Sequence, residues 1–133
     1  MWPEPVERIA AFLRASGAQG QLEQLPTGVE EAPGPGVRAA GFDCDRRTLV
    51  ALVPVDRAID RDKLAAVARC ATLVPAPLPA FPFQPARVFL DRSVLTAATV
   101  WLEAGSPRHV LGLAPSQLTR LTRAETADLL LEA

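Results

Sequence analysis

The chain has 133 residues, of which 49% are hydrophobic, and a formal net charge of −1. This length suits one compact domain rather than two, and the apolar fraction excludes disorder over the whole length. The near-neutral charge argues against a strong non-specific affinity for nucleic acid, which usually shows as a basic excess. No apolar run approaches the roughly 20 residues of a membrane span, and the N-terminus lacks the pattern of a signal peptide, so we expect a cytoplasmic protein.

The first half of the chain predicts a helix, a short strand, a loop and a strand pair. Apolar residues recur at helical spacing over residues 6–15, and polar and apolar residues alternate over residues 21–25. Residues 27–36 contain two Pro-Gly pairs, which neither a helix nor a strand tolerates, so they predict a loop. Strands are predicted over residues 37–43 and 48–53. The second is apolar throughout, which is typical of a central strand covered on both faces.

The second half predicts a helix, a proline-rich loop, several short strands and another short helix. Asp60 is a suitable N-cap for a helix that carries apolar residues as far as Ala71. Five prolines in residues 73–85 predict an extended loop. Pro115 opens a short helix, and residues 126–130 suit a strand or a helix. The remaining strands are predicted over residues 87–90, 99–102 and 109–113. Short strands with three helices, without regular βαβ alternation, indicate a mixed α/β domain.

The cysteines and arginines carry no decisive motif. Cys44 and Cys70 lie far apart, and His109 is the one histidine that could assist them, so the sequence predicts no metal site. We expect two reduced, semi-buried thiols, with a catalytic Cys-His pair as the alternative. Arginines form three short clusters, which predict solvated surface, with RNA contacts as the alternative. These clusters are Arg46 with Arg47, Arg57 with Arg61, and Arg120 with Arg123.

An ordered series of segments resembles the YbaK/ProX-type aminoacyl-tRNA editing domains. The C-terminal part of the resemblance is a turn that contains tryptophan and glycine, a helix that begins with proline, and an Ala-Asp pair near the end of the domain. The upstream part is a central strand, the helix after it, and a strand that ends in aspartate. These segments are residues 100–108, 113–115, 118–122, 127–129, 49–54, 56–65 and 88–95. The resemblance implies one editing-like domain over residues 1–133, with a mixed, barrel-like sheet and flanking helices.

The same resemblance implies a trans-editing hydrolase that cleaves a wrong amino acid, such as cysteine or alanine, from tRNA. A water or the neighbouring hydroxyl of the substrate attacks the ester, so the protein must hold the ester, exclude the correct amino acid and stabilise an oxyanion. No metal and no organic cofactor are implied. The implied partners are the aminoacylated 3′ end of tRNA and an aminoacyl-tRNA synthetase.

The resemblance also implies site residues. Arg38 stands at the family's lysine position, Asp91 stands where the family has an acidic residue near the pocket, and Gly105 keeps one of two paired glycines. We predict these three as catalytic residues. A surface strand arginine and a turn-capping aspartate are the structural alternatives for the first two. The predicted substrate-binding residues are Phe42, Pro79, Phe81, Ser106 and His109.

This chain departs from the family pattern at several of these positions. Pro79 alone remains of a Gly-Gly-x-x-Pro loop, and a short Pro-Gly loop replaces the family's helix before the strand of Arg38. Phe81 suits a core contact that pins its loop, with stacking on a base as the alternative. Ser106 and His109 are close in sequence but lack a third triad member. Two other functions therefore stay open: a non-catalytic module that binds tRNA or a synthetase, and a small metabolite-binding domain.

Overall fold

The computed structural model describes residues 2–132. Three α-helices, one 3₁₀ helix and eight strands follow one another in the described chain. In order, they are α1 (Glu4–Ser16), β1 (Gln21–Gln24), β2 (Val37–Cys44), β3 (Arg47–Pro54), α2 (Arg61–Ala68), β4 (Leu73–Pro75), β5 (Arg87–Asp91), the 3₁₀ helix (Arg92–Thr96), β6 (Val100–Glu103), β7 (His109–Leu113), α3 (Pro115–Thr122) and β8 (Glu125–Ala127).

The strands form two sheets, and the predicted mixed α/β class is confirmed. The larger sheet has the order β4-β2-β3-β5-β8, with β5 parallel to both β3 and β8 and the other pairs antiparallel. The smaller sheet has the order β1-β7-β6 and is antiparallel throughout. Among residues 2–132 the strands therefore make two separate sheets rather than one closed barrel.

The central strand β3 lies between two hydrophobic clusters, as its unbroken apolar sequence predicts. All five side chains from Leu49 to Val53 are at most 1% exposed. Because side chains alternate between the faces of a strand, Val50 and Leu52 join one cluster with α1 and the smaller sheet. Leu49, Ala51 and Val53 join the other cluster, which α2 covers. The sheet is thus buried on both faces, and functional groups must lie at its ends or in its loops.

The helices begin and end where local chemistry favours it. Pro5 lies in the first turn of α1, and Gly17 ends this helix with φ +65°. The Asp60 carboxylate caps α2 by accepting the backbone N–H groups of Asp62 and Lys63, at 2.9 and 3.2 Å. The prediction that α2 extends to Ala71 is wrong, because Arg69 adopts φ +60° and ends the helix. None of the helices within residues 2–132 is long and apolar enough to cross a bilayer.

Two other local predictions require correction. The start of the predicted proline-rich loop forms strand β4, which pairs with the end of β2 from Phe42 to Cys44. Proline is tolerated there because β4 lies at an edge of the sheet. The ambiguous segment 126–130 contains the end of β8 and an isolated bridge between Ile59 and Leu130.

Cys44 and Cys70 form a disulfide, with Cα atoms 5.4 Å apart. The expectation of two reduced thiols is therefore wrong in this structure, and the alternative of a Cys-His pair falls with it. Pairing of β2 with β4 brings the end of β2 beside the segment after α2. Asp45 joins the same two segments by accepting the backbone N–H groups of Ala71 and Thr72, at 3.0 and 2.8 Å.

Candidate functional site

A cavity of about 1080 Å³, here called the main cavity, opens where the two sheets meet. Its walls come from α1, the Pro-Gly loop before β2, the first part of β2, residues 78–83 of the proline-rich segment, and β6 with the turn after it. Its volume is slightly above the range of small-molecule sites, which is usually about 300–1,000 Å³. The lining residues are drawn from a stretch that runs from Pro5 to Val110.

Four of the eight predicted site residues line the main cavity. They are the predicted catalytic residues Arg38 and Gly105 and the predicted substrate-binding residues Pro79 and Phe81. Arg38 lies on β2 of the larger sheet. Gly105 lies in the turn between β6 and β7, which are strands of the smaller sheet. The fold therefore brings residues that are far apart in the sequence to the same cavity.

Arg38 is among the residues that line the main cavity, and its guanidinium is bound to the loop after β3. Arg38 is half-buried, and its Nη2 donates to the backbone carbonyl of Arg57, at 3.0 Å, in the loop after β3. On the same strand, Val37 packs in the cluster next to the cavity, whereas Phe42 packs in the opposite cluster. Side chains alternate between the two faces of a strand, and Arg38 is four residues from Phe42, so both lie on the same face. The Arg38 side chain therefore leaves the strand on the side of the β3–α2 loop.

Gly105 is required by two separate constraints. Its φ is +87°, which L-residues rarely adopt. A Cβ atom at this position would also lie 2.8 Å from the backbone nitrogen of Val6 and 2.9 Å from the carbonyl carbon of Pro5, in the first turn of α1. Glycine thus allows α1 to approach the β6–β7 turn. The N–H of Gly105 makes no backbone hydrogen bond within residues 2–132.

Carboxylates outnumber basic groups around the main cavity. Its exposed acidic residues come from the Pro-Gly loop, the β3–α2 loop and the end of β6: Glu30, Glu31, Asp56 and Glu103. The basic residues of the lining are Arg8 and Arg38, and Arg8 is already paired with Glu4. Sequence reasoning missed this acidic character because the four carboxylates belong to three separate segments. A ligand with a positively charged group suits such a lining.

Asp91 does not reach the main cavity. Its side chain is 1% exposed, and its carboxylate accepts the backbone N–H of Leu129 at 2.8 Å and that of Ser93 at 3.0 Å. The Ser93 hydroxyl also donates to it. All of these partners belong to the protein itself. The structure therefore supports the turn-capping role of Asp91, and we remove it from the candidate catalytic residues.

Phe42, Ser106 and His109 also lie outside the lining of the main cavity. Phe42 is buried in the cluster under α2, with the Arg61 guanidinium 5.9 Å from its ring centre. The placement of these three residues does not support their predicted contact with substrate.

Ser106 and His109 do contact each other, with 2.6 Å between Oγ and Nδ1. His109 is 4% exposed, and Trp2 packs edge-on against its ring at 5.4 Å between centroids. Its Nε2 atom is buried without a partner among the described residues. Nucleophilic catalysis needs a base oriented by a third group and a hydroxyl that faces the substrate. This pair has neither, so it is a structural contact within the β6–β7 turn.

Aromatic side chains form much of the apolar wall. Phe81 packs edge-on against Phe12 and Phe83, at 6.0 and 5.5 Å between ring centroids, and is 8% exposed. Its packing favours the interpretation that it pins the proline-rich segment to the core. Trp101, which sequence reasoning missed as a wall residue, lies over Gly112, where a Cβ atom would come within 2.7 Å of its ring. Gly112, the residue that pairs with Trp101 across the two strands, leaves room for the indole ring, and this glycine was the available signal in the sequence.

No family model matches the chain, and no curated protein matches it. Solved structures do match. A protein described as a candidate trans-editing enzyme for prolyl-tRNA synthetase is 20% identical, with a TM-score of 0.86, over 99% of this chain and 100% of that one. A hypothetical protein is 15% identical, with a TM-score of 0.80, over 93% and 99%. A candidate signal transduction protein from Marinobacter aquaeolei VT8 is 19% identical, with a TM-score of 0.74, over 99% of this chain but 31% of its own.

These likenesses establish the fold. The chain has the same mixed α/β fold as the candidate prolyl-tRNA editing protein, over the full length of both. The YbaK/ProX resemblance is thus supported at the level of an editing-domain fold. The Marinobacter protein contains the same fold as about a third of a longer chain, so the fold also occurs as one part of a larger protein.

Proposed function

We propose that the protein is a cytoplasmic aminoacyl-tRNA deacylase that removes a mischarged amino acid in trans. The observation that carries this proposal is the end-to-end likeness of the fold to a candidate trans-editing protein, at a TM-score of 0.86. The main cavity, with Arg38 and Gly105 in its lining, supports it. In this proposal residues 1–133 act as one domain, and the partners are charged tRNA and an aminoacyl-tRNA synthetase.

The reaction is hydrolysis of the ester between the amino acid and the terminal ribose. A water, or a water assisted by the neighbouring ribose hydroxyl, adds to the ester carbonyl. The carbon–oxygen bond to the ribose then breaks, which yields a free amino acid and a tRNA that regains its hydroxyl. This scheme needs no protein nucleophile, which agrees with the structural roles of Ser106 and Asp91. It does need groups that orient the ester and stabilise the developing oxyanion.

Each part of the main cavity has a role in this scheme. The unpaired N–H of Gly105 is the proposed oxyanion donor, because backbone N–H groups that face the reacting carbonyl supply this stabilisation. The Arg38 guanidinium supplies positive charge near the terminal ribose. The exposed carboxylates of the lining attract the free α-ammonium group of the aminoacyl ester. The apolar wall that includes Trp101 limits the size of the amino acid.

Deacylation of a panel of mischarged tRNAs tests the proposal. We expect the wild-type protein to hydrolyse at least one member, such as Cys-tRNA or Ala-tRNA, above the spontaneous rate. Arg38→Ala should lower kcat/KM by about tenfold or more, and Arg38→Lys should retain part of the activity, because loss of one charge-stabilising contact costs on the order of tenfold to a hundredfold. Arg14→Ala, which removes an exposed arginine of α1 outside the cavity, is the matched control.

Two outcomes contradict the proposal in different ways. No hydrolysis of any charged tRNA would overturn the deacylase function. Hydrolysis that Arg38→Ala leaves unchanged would overturn the role of Arg38 and leave the activity standing.

A non-catalytic tRNA- or synthetase-binding module is the second candidate function. The specific observation in its favour is that the Arg38 guanidinium is already bound to the Arg57 carbonyl, while Asp91 is committed to the fold. Calorimetric titration with uncharged tRNA and with a prolyl-tRNA synthetase separates the two functions. Binding to either partner without hydrolysis supports the module, and no binding to either excludes it.

A further inference from the structure

A second cavity, of about 770 Å³, lies at the far end of the β2–β3 hairpin from the main cavity. We call it the arginine cavity. Its walls come from the hairpin turn, the start of β3, the end of α2, residues 85 and 86, and Arg87 at the start of β5.

Three arginines and one aspartate give the arginine cavity a positive balance. Arg87 is fully engaged: it contacts the Glu125 carboxylate at 2.9 Å and the Ala68 carbonyl at 3.1 Å. Arg47 and Arg69 are exposed, and neither guanidinium has a hydrogen-bond or ion-pair partner within residues 2–132. The carboxylate of Asp45 is occupied by two backbone N–H groups. Two of the lining residues therefore carry guanidinium groups without partners among residues 2–132, and the acidic residue of the cavity already has partners.

The arginine cavity and the main cavity are joined by the proline-rich segment. Pro79 lines both, residues 78–83 line the main cavity, and Pro85 and Ala86 line the other. Away from Pro79, the two linings extend to opposite ends of the β2–β3 hairpin, where Val37 pairs with Pro54 at one end and Cys44 with Arg47 at the other. At about 3.3 Å per residue, the two ends of β2 lie roughly 20–25 Å apart. An extended ligand longer than one nucleotide could lie along this path.

We infer that the arginine cavity binds backbone phosphates of the single-stranded 3′ end of tRNA while the aminoacyl ester occupies the main cavity. The inference rests on the proposed function and extends it to the partner. Guanidinium groups bind phosphate oxygens with two parallel hydrogen bonds, and Arg47 and Arg69 are free to do so. The acidic lining of the main cavity suits the cationic α-ammonium end of the same ligand. The acidic main cavity thus matches the cationic amino acid, and the arginine cavity matches the anionic phosphates, of an aminoacylated RNA end.

Binding of a short single-stranded RNA that ends in CCA tests the inference without requiring catalysis. Arg47→Gln and Arg69→Gln each remove one charge and keep a long polar side chain, and Arg14→Gln is the control with the same charge loss. By fluorescence anisotropy, we expect each cavity variant to weaken binding by about tenfold. We also expect the slope of log Kd against log salt to fall by about 0.7 per lost phosphate contact. Arg14→Gln should change neither quantity.

The source of the phosphate is tested by competition with inorganic phosphate and with adenosine monophosphate. Weak competition by both supports recognition of an RNA strand. If either binds as tightly as the RNA and responds equally to Arg47→Gln and Arg69→Gln, the cavity is a small-anion site and the inference is overturned. RNA binding that Arg47→Gln and Arg69→Gln leave unchanged, in affinity and in salt dependence, overturns it as well.

Steady-state kinetics separates this inference from the proposed function. If the protein is a deacylase, Arg47→Gln/Arg69→Gln should raise KM for aminoacyl-tRNA with little change in kcat. The same double variant should leave hydrolysis of an aminoacyl ester of adenosine unaffected, because that small substrate lacks the backbone phosphates. If the wild-type protein hydrolyses neither substrate, the proposed function fails, and the RNA-binding measurements still decide the role of the arginine cavity.

Discussion

The backbone N–H of Leu129 donates a 2.8 Å hydrogen bond to the carboxylate of Asp91, and both residues are at most 1% exposed. This bond joins the end of β5 to the C-terminal segment that follows β8. The same carboxylate begins the 3₁₀ helix by accepting the N–H of Ser93. One buried acid therefore fixes three segments of the chain relative to one another.

Asp91→Ala should destabilise the fold by about 1–3 kcal/mol, because the buried N–H of Leu129 loses its acceptor. Asp91→Asn, which keeps one acceptor oxygen, should cost less. Urea denaturation followed by circular dichroism measures both values. Glu23→Ala removes an exposed acid outside the main cavity and is the control for charge. If Asp91→Ala is as stable as the wild type but loses deacylation, Asp91 is a catalytic residue after all.

Gly105→Ala should destabilise the protein more than Gly28→Ala does. The two glycines have nearly the same φ, +87° and +83°, so alanine costs similar backbone strain at both, on the order of 1–3 kcal/mol. A Cβ atom at Gly28 meets nothing within 4 Å, whereas at Gly105 it meets the backbone of Pro5 and Val6. The difference between the midpoints of thermal unfolding of Gly105→Ala and Gly28→Ala therefore measures the steric clash of the new Cβ atom with Pro5 and Val6. Equal midpoints would mean that α1 moves away from the turn at no cost.

Loss of the Cys44–Cys70 disulfide should destabilise the protein by about 3–4 kcal/mol, given a loop of 26 residues. Cys44→Ser/Cys70→Ser, compared with the oxidised wild type in urea, measures this. Asp45 joins the same two segments, so Asp45→Asn should cost more in the disulfide-free background than in the oxidised protein. Equal costs would mean that the two links act independently. Disulfides are rare in the cytosol, so thiol alkylation in intact cells tests whether the bond forms where we propose the protein acts.

The ion pair between Lys63 and Asp128 should make stability depend on pH at both extremes. The Lys63 ammonium, 3.0 Å away, lowers the pKa of Asp128 below its ordinary value of 3.8 by a side-chain hydrogen bond. The stability that this contributes is present above that ordinary value and is lost as pH falls through the folded pKa. The same bond raises the pKa of Lys63 above 10.5, so its contribution is present below that value and lost as pH rises through the folded pKa.

Lys63→Met removes this ion pair, together with the hydrogen bond from Lys63 to the Leu130 carbonyl, and the pH dependence separates the two. The difference in unfolding free energy between wild type and Lys63→Met should be greatest at intermediate pH and should shrink below about pH 4 and above about pH 10.5. Arg14→Met, on the exposed face of α1, should give a difference that does not vary with pH in this way. A flat difference for Lys63→Met across the acid range would show that the pair does not contribute.

The elements of the fold were largely predictable because each has a local cause. The run from Leu49 to Val53 could only be a doubly covered strand, and Asp60 and Pro115 marked helix starts that the structure confirms. The disulfide was not predictable, since Cys44 and Cys70 meet only through the pairing of β2 with β4. The residues next to each cysteine in the sequence do not indicate that β2 and β4 pair.

The candidate site was predictable only in part, because side-chain direction depends on contacts made far along the chain. Arg38 and Gly105 both line the main cavity, but the Arg38 guanidinium is bound to Arg57, in a loop whose path the sequence does not give. Asp91 ends a strand, and such a residue can face a pocket or cap the next turn. The position of Leu129, 38 residues later, decides between these. The acidic lining escaped notice for the same reason, as it is assembled from separate loops.

The prolines that follow β4 have a consequence for behaviour at high concentration. Strand β4 is an edge of the larger sheet, it is three residues long, and it leaves Val74 exposed. Open edges of this kind recruit strands from neighbouring molecules and seed aggregates. Addition of a strand needs a row of N–H donors, and the prolines at positions 75, 77 and 79 interrupt that row. The segment that joins the two cavities therefore also blocks edge-to-edge growth, which helps to keep copies of this chain apart.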